Sequence, residues 1–303
     1  MLYDSMHSLI GHTPLVKLNN MGVSPDVNIY AKLEMYNPSG SVKDRIGEYM
    51  IRAAEREGVL REGGTIIEAT AGNTGLGIAF AALGKGYKVI FTVPTKFSAE
   101  KQALMRALGA QVINTPRADG MLGAVRKADE LRAQIEGSVS LEQFKNPNNP
   151  LAHYETTGKE IWEDMNGKVT HLIAGAGSGG TYTGIVKYLK EQNPDVQGVL
   201  ADPEGSTIGG GEHFDYNIEG IGNDFIPDTM DIGLVDTVVK VNDEEAFRTV
   251  RDLARNEGII AGSSSGAAMA AAIKLSQKLD SAANIVVVFP DRGDRYFSTG
   301  LFG

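Results

Sequence analysis

The chain has 303 residues, of which 38 are acidic and 29 basic, and its net charge at pH 7 is -9. This acidic balance argues against nucleic acid or an anionic membrane as the main partner. The sequence contains no cysteine, which excludes disulfides, zinc–cysteine sites and a cysteine nucleophile, and no metal site is predicted. We expect a soluble cytoplasmic protein, because the N-terminus shows no signal-peptide pattern and the apolar runs are too short to span a bilayer.

The segment NPSGSVKDRIG, at positions 37–47, places Lys43 between a Gly-Ser turn and the start of a predicted helix. Most such lysines are solvated surface charges. A helix N-terminus repels a cation, however, and therefore favours the neutral amine. A neutral lysine amine can form a Schiff base with a carbonyl cofactor. Taken alone, Lys43 is thus a surface charge, a phosphate ligand or a nucleophile.

Short apolar strands alternate with helical stretches along the chain. Strands are predicted at 65–70, 88–93, 110–115, 170–175, 196–201 and 284–289. Their near-continuous apolar runs are typical of strands covered on both faces. Helices are predicted from Ser98 to Gly109 and from Asn242 to Gly258, with capping residues at both ends. This alternation predicts an α/β protein with parallel sheets.

A lobe boundary is predicted in QFKNPNNPLAHY, at positions 143–154. Two prolines and three asparagines interrupt both the helix and the strand period there. We therefore predict a smaller lobe at 37–146 and a larger lobe formed by 1–36 and 147–303.

The first notable turn, EATAGNTGLG, follows the strand that ends at Thr70, and a helix is expected from about Thr74. Free backbone N–H groups at a helix start favour an anion such as a carboxylate. A tight strand-to-helix turn would explain the glycines equally well. Another turn, AGSSSGAAM, starts a further helix at 261–269, where plain N-capping and a hydroxyl directed at a ligand are both possible.

The turn LIAGAGSGGT, at 172–181, carries the strongest single signal. Glycines let the backbone wrap an anion, two hydroxyls add donors, and the following helix presents its positive end. The residues expected to bind a phosphate are Gly177, Ser178, Gly179, Gly180 and Thr181.

A dinucleotide-binding interpretation fits the same turn. Gly175, Gly177 and Gly180 match the spacing G-x-G-x-x-G, and Asp202 follows a later strand, near the expected place of a ribose-binding acid. This alternative leaves Lys43 and the other two turns without a role. One lysine, one phosphate cradle, one carboxylate site and one serine-bearing helix start are instead the parts that a pyridoxal phosphate site needs.

Six segments in this order resemble the cysteine synthase and cystathionine β-synthase family of fold-type-II pyridoxal phosphate enzymes. They are IGHTPLVKL, NPSGSVKDR, TAGNTG, GAGSGGT, GSSSGA and DRGDRYFSTGLF, and they extend over nearly the whole chain. The resemblance implies a fold similar to the β subunit of tryptophan synthase, with two lobes that each hold a mostly parallel sheet flanked by helices. It also implies a homodimer.

The resemblance implies a role for each matched residue. Lys43 would hold pyridoxal 5'-phosphate as a Schiff base and then act as general base at the substrate Cα. Asn73 would contact the ring oxygen, Ser264 would meet the pyridine nitrogen, and Gly177–Thr181 would bind the phosphate. The substrate carboxylate would be surrounded by Thr70, Ala71, Gly72, Thr74 and Gln143.

The chain departs from the family pattern in ways that bear on its activity. Cysteine synthases commonly have serine where Ala71 stands, whereas NPLAHYETTGKEI, DPEGS and EGIGNDFIP look more like cystathionine β-synthases. No regulatory module and no haem-binding cysteine are expected. The predicted reaction is replacement of the acetate of O-acetylserine by sulfide or homocysteine, giving cysteine or cystathionine. A serine-using cystathionine β-synthase, a serine or threonine dehydratase and a binding protein without activity are the alternatives.

Overall fold

The computed structural model describes residues 2–70, 72–95 and 97–303. The chain divides into two compact units: unit 1 comprises Met1–Ser8 and Lys43–Asn148, and unit 2 comprises Leu9–Val42 and Asn149–Gly303. The lobes predicted from sequence differ from these units at their boundaries. Residues 1–8 and 147–148 were predicted in the larger lobe but belong to unit 1, and residues 37–42 were predicted in the smaller lobe but belong to unit 2.

The regular elements have the following bounds in the described part of the chain. The strands are β1 (Leu15–Leu18), β2 (Val27–Leu33), β3 (Thr65–Ala69), β4 (Lys88–Pro94), β5 (Gln111–Thr115), β6 (His171–Ala174), β7 (Gln197–Pro203), β8 (Thr237–Val241) and β9 (Ala283–Phe289). The α-helices are α1 (Lys43–Arg56), α2 (Asn73–Ala81), α3 (Ala99–Ala107), α4 (Gly120–Gln134), α5 (Asn148–Ala152), α6 (Lys159–Asp164), α7 (Gly180–Gln192), α8 (Asp243–Glu257) and α9 (Ser263–Ser276). A π-helical turn (His153–Gly158) joins α5 to α6, and short 3-10 helices lie at Met6–Leu9, Glu34–Tyr36, Arg117–Asp119, Ile232–Leu234 and Gly293–Thr299.

The strands form one sheet in each unit. Across the described residues, unit 2 holds a six-stranded sheet in the order β1-β2-β9-β6-β7-β8, and unit 1 holds a three-stranded sheet in the order β3-β4-β5. All neighbours are parallel except the pair of β1 and β2. The predicted α/β fold is therefore confirmed. Each of the predicted strands is present, but the sequence prediction omitted β1, β2 and β8.

Helix caps form where the sequence predicts them. The Ser98 hydroxyl accepts a hydrogen bond from the backbone N–H of Lys101 at the start of α3. Asn242 and Glu245 form a reciprocal capping box at the start of α8, and Gly258 ends that helix with a left-handed φ of 69°. These local choices fix the ends of helices that pack on the sheets.

The core of unit 2 surrounds its central strand, β9. Ile285, Val287 and Phe289 are fully buried there, and the alanine-rich helix α9 packs in the same apolar cluster. Because the small side chains of α9 allow close packing, its first turn is held firmly at the edge of this core. No helix among the described residues is both long and apolar enough for a membrane span.

Candidate active site

Lys43 is the first residue of α1, and its side chain is half-buried. Two glycines allow α1 to pack closely against α2. A methyl group at Gly77 would lie 2.3 Å from the carbonyl oxygen of Lys43, and one at Gly47 would lie 2.4 Å from the carbonyl oxygen of Gly77. Backbone approach this close requires glycine at both positions. The crossing fixes the start of α1, and with it Lys43, relative to α2.

The TAGNTG turn leads from β3 into α2 within unit 1. Thr70 is buried at the end of the strand, Gly72 caps the helix, and Asn73 is its first residue. The hydroxyl of Thr74 donates a 2.7 Å hydrogen bond to the side-chain oxygen of Gln143. The structure thus brings together two predicted substrate-binding segments that lie far apart in sequence. Ala71 lies outside the described residues.

The predicted phosphate loop connects β6 to α7 in unit 2. Gly179 has a left-handed φ of 85°, and a Cβ atom there would lie 2.4 Å from the Cβ atom of Met230. A Cβ atom at Gly177 would lie 2.3 Å from the carbonyl oxygen of Gly220. The chain therefore needs glycine at both positions to make this turn. The predicted residues 177–181 lie together in one loop at the helix start, with Ser178 buried.

Polar side chains from distant segments hold this loop in place. The Asn149 side chain donates to the Ser178 hydroxyl at 2.9 Å, and the Asn223 side chain donates to the Gly177 carbonyl at 2.5 Å. The hydroxyl of Thr229 donates to the carbonyl of Ser178. Sequence analysis missed these supporting residues, because isolated Asn and Thr residues in irregular segments carry no periodic signal.

Thr181, in the first turn of α7, takes part in a polar chain. Its hydroxyl lies 3.1 Å from Nε2 of His153, which is fully buried, and Nδ1 of the same ring lies 2.9 Å from the hydroxyl of Thr157. A buried imidazole with partners on both nitrogens has a fixed ring orientation. The hydroxyl of Thr181 is therefore oriented from one side by His153.

Ser264 is buried in the first turn of α9, with 3% of its surface exposed. Its neighbour Ser263 accepts a 3.0 Å hydrogen bond from the backbone N–H of Glu219. Glu219 and Gly220 are consecutive, so the segment EGIGNDFIP contacts both the serine-bearing helix start and the phosphate loop. The two predicted cofactor-binding segments of unit 2 are thereby fixed relative to each other.

The residues after β9 join the segments before Lys43 and before Ser264. The backbone N–H of Val42 donates to Pro290, and the backbone N–H of Gly262 donates to Asp291. The Tyr296 hydroxyl donates to the buried carboxylate of Asp291 at 2.5 Å. Burial and the adjacent Asp291 charge raise the pKa of Tyr296 well above its usual range, so the hydroxyl stays protonated as the donor. The DRGDRY segment thus has a structural role beside the site.

The dinucleotide alternative disagrees with the position of Asp202. This residue is fully buried, and its carboxylate lies 2.6 Å from the Lys240 amine. The same oxygen accepts a 2.9 Å hydrogen bond from the backbone N–H of Gly209. A buried carboxylate that is paired with Lys240 is poorly placed for a ribose hydroxyl, so Asp202 does not support the dinucleotide interpretation.

Comparison with known proteins decides between the remaining interpretations. The family model described as "Pyridoxal-phosphate dependent enzyme" matches residues 6–291. The chain belongs to this family. The predicted resemblance is confirmed, and the chain is an enzyme of the cysteine synthase type.

Two curated relatives are similar to it over nearly their full length. The "O-acetylserine dependent cystathionine beta-synthase" of Bacillus subtilis (strain 168) is 51% identical over 294 residues, which cover 97% of this chain and 96% of the relative. The cysteine synthase of Helicobacter pylori (strain J99) is 46% identical and is covered completely by the match, as is this chain.

A solved structure extends the likeness to three dimensions. The O-acetylserine dependent cystathionine beta-synthase from Helicobacter pylori superposes with a TM-score of 0.95 at 45% identity, and the match covers all of both chains. This agreement confirms the fold class that the sequence predicts.

The described residues fit pyridoxal phosphate chemically. Residues 175–181 include no acidic side chain and lead into the 13-residue helix α7, whose free N–H groups favour a phosphate dianion. A residue larger than glycine at position 177 or 179 would collide with the surrounding backbone. The two glycines therefore leave the loop backbone open to close approach by a phosphate. Lys43 supplies a half-buried amine and Ser264 a buried hydroxyl.

Proposed function

We propose that the protein replaces the acetate group of O-acetylserine with a sulfur nucleophile, which gives cysteine from sulfide and cystathionine from homocysteine. The observation that carries this proposal is the 51% identity, over 97% of the chain, to an enzyme named as an O-acetylserine dependent cystathionine beta-synthase. The six segments that resemble this family, all present in this chain, support it.

The proposal assigns the cofactor to named residues. Bound pyridoxal phosphate supplies an electron sink for the carbanion that forms at the substrate Cα. Its phosphate would be held by Gly177, Ser178, Gly179, Gly180 and Thr181, its ring oxygen by Asn73 and its ring nitrogen by Ser264. The neutral hydroxyl of Ser264 does not fix a proton on that nitrogen as a carboxylate would, which suits an elimination that needs little electron storage. Lys43 would bind the cofactor's aldehyde group in the absence of substrate.

The substrate carboxylate is bound, in this proposal, by the turn at 70–74 and by Gln143. The Thr74–Gln143 hydrogen bond presents these two segments side by side in unit 1. Several contacts would come from backbone N–H groups at the start of α2, so Ala71 does not need a hydroxyl. With the carboxylate fixed, the Lys43 amine takes the proton from Cα, and acetate leaves from Cβ.

The choice of donor follows from the leaving group. Acetate departs more readily than hydroxide, so an enzyme that uses serine needs an acid near the leaving hydroxyl. The TAGNTG turn contains neither histidine nor a carboxylate. We therefore assign O-acetylserine as the donor in preference to serine.

The choice of nucleophile depends on polar groups beyond the carboxylate site. Homocysteine brings its own amine and carboxylate, which need partners. The exposed Glu219, next to the segment that supports the phosphate loop, is our candidate for the amine of homocysteine. Sulfide makes no such demand, and we propose that both nucleophiles are used.

Product analysis tests the proposal. The purified enzyme with O-acetylserine should release acetate and form cysteine with sulfide and cystathionine with homocysteine. Faster turnover of serine than of O-acetylserine would favour the serine-using cystathionine β-synthase, and pyruvate formed from serine without a thiol would favour the dehydratase. Glu219→Gln should weaken homocysteine binding and leave sulfide turnover unchanged. Equal effects on both nucleophiles would remove Glu219 from the proposal.

Two further predictions concern the state of the protein in the cell. A homodimer and a cytoplasmic location are expected from the resemblance and from the sequence. Sedimentation equilibrium and cell fractionation test them, and a monomer or a membrane-bound fraction would contradict them.

A further inference from the structure

Glu68 is a buried acid that the proposed reaction does not use. It lies on β3, two residues before Thr70, and only 6% of its surface is exposed. Isolated buried carboxylates are costly unless they are hydrogen-bonded. The position of Glu68 beside the substrate turn therefore calls for a physical account.

The carboxyl group of Glu68 faces the segment that leads to Gln143. One of its oxygens accepts a 2.8 Å hydrogen bond from the Ser140 hydroxyl and a 2.9 Å hydrogen bond from the backbone N–H of Leu141. Burial raises the pKa of Glu68, while hydrogen bonds from Ser140 and from the backbone of Leu141 and Glu142 oppose that rise. Three consecutive residues thus converge on one side chain.

The segment they belong to leaves the sheet at this point. Val139 pairs with β3, since its N–H donates to Thr65 and its carbonyl accepts from Ile67. After Val139 this segment turns away from the sheet, and Glu142 adopts a left-handed φ of 46°, which is unusual for a residue with a side chain. Gln143 follows immediately. The path of the chain into Gln143 is therefore not set by regular structure.

The side chain of Leu141 is buried, with 2% of its surface exposed, but the turn also borders open space. A cavity of about 310 Å³ borders it and is lined by Met50, Ala53 and Ala54 of α1 together with residues 139–142 and 145–148. Hydrogen bonds therefore add to the packing of Leu141 in holding the turn. Glu68 holds residues 140–142, and Thr74 holds the side chain of Gln143.

We infer that Glu68 is a positioning residue for substrate binding: its carboxyl group anchors the 140–142 turn and thereby places Gln143 beside the start of α2. The inference rests on the proposed function, because it takes Gln143 as a ligand of the substrate carboxylate. The inference assigns Glu68 no direct contact with cofactor or substrate. It acts through Gln143.

Glu68→Leu removes both hydrogen-bond acceptors while keeping a side chain of similar size. We expect the KM for O-acetylserine to rise at least about tenfold, the scale of one or two lost hydrogen bonds, with kcat changed by no more than about twofold. Glu68→Gln keeps one carbonyl acceptor, so its KM for O-acetylserine should stay close to that of wild type. Ser140→Ala removes one donor and should raise KM by a smaller factor. Glu130→Gln, at an exposed acid of α4, is the matched control and should behave as wild type.

Hydrogen exchange of the holoenzyme gives a readout that does not depend on turnover. Backbone amides in the peptide spanning 139–146 should exchange about tenfold faster in Glu68→Leu, while peptides of β4 and α1 keep their protection. A wild-type KM in Glu68→Leu would overturn the inference. So would a loss of kcat without a rise in KM, or faster exchange throughout unit 1, since both indicate a general structural role.

The two proposals fail separately. If wild-type enzyme does not turn over O-acetylserine, the proposed function is wrong, and exchange in 139–146 alone decides whether Glu68 holds the turn. If Glu68→Leu does not fold, Ser140→Ala decides: unchanged KM and unchanged exchange in that variant would overturn the inference.

Discussion

The crossing of α1 and α2 offers a sharp test of how the fold positions Lys43. An added methyl group at Gly77 would lie 2.3 Å from the Lys43 carbonyl oxygen, whereas an ordinary carbon–oxygen contact is about 3.3 Å. Gly77→Ala therefore has to separate the helices by roughly 1 Å. Both atoms in the contact belong to rigid elements, so no side-chain rotation relieves it.

The magnitude follows from two opposing effects. Replacing glycine with alanine inside a helix stabilises it by about 1 kcal/mol, whereas overpacking costs about 1–3 kcal/mol and falls here at the upper end. We expect a net destabilisation of about 2 kcal/mol and a fall in the apparent Tm of about 4–8 °C. Misplacing the reactive amine by roughly 1 Å should lower turnover by about a hundredfold.

Thermal unfolding and steady-state kinetics measure these effects. Gly47→Ala makes the reciprocal contact, 2.4 Å from the Gly77 carbonyl oxygen, and should show the same combination of losses. Gly233→Ala is the control, because that exposed glycine would meet only the side chain of Asp231, at 3.1 Å. Wild-type Tm and turnover in Gly77→Ala would refute the conclusion that this crossing positions Lys43.

Four other outcomes are expected. Lys43→Ala should lose the visible absorbance of the lysine-bound cofactor and nearly all turnover, and borohydride reduction followed by peptide mapping should label Lys43 and no other lysine. Ser264→Asp should favour a protonated cofactor ring, shift the absorbance spectrum and lower turnover; an unchanged spectrum and rate would contradict the assigned contact. Tyr296→Phe should destabilise the protein by about 1–3 kcal/mol in urea unfolding, because the buried Asp291 loses a donor. Burial raises the pKa of Glu68 above 4.5, so its contribution to folding stability is full below about pH 4.5 and is lost as pH rises through the folded pKa. The free energy of unfolding of wild type should therefore fall relative to that of Glu68→Gln as pH rises. Parallel pH profiles of the two proteins would contradict this sign.

The predicted and the omitted strands differ in how clearly their sequences signal burial. β9 is buried along nearly all its length, so its sequence alone identifies it. β2 contains Lys32, which is fully buried because its amine pairs with Glu160 at 2.9 Å, a partner that no local pattern reveals. β8 lies at the edge of its sheet and exposes Thr237 and Val238, which weakens its apolar signal.

Some residues of the candidate site could be predicted from sequence and others could not. Lys43, the TAGNTG turn and the phosphate loop are contiguous motifs, so the sequence was sufficient to propose them. Asn149 and His153 contact the phosphate loop and the start of α7 from a segment far away in sequence. Glu68 contacts the segment before Gln143 through Ser140 and Leu141, which are also far away in sequence. Such contacts depend on tertiary structure and leave no spacing that a sequence pattern detects.

In the proposed reaction, the enzyme replaces the acetate group of O-acetylserine with a sulfur nucleophile. The most direct measurement follows acetate and the sulfur-containing product together, with O-acetylserine as donor and sulfide or homocysteine as acceptor. The proposal predicts equal amounts of acetate and cysteine with sulfide, and of acetate and cystathionine with homocysteine, with serine turned over much more slowly. Formation of cystathionine from serine at a higher rate than from O-acetylserine would contradict it.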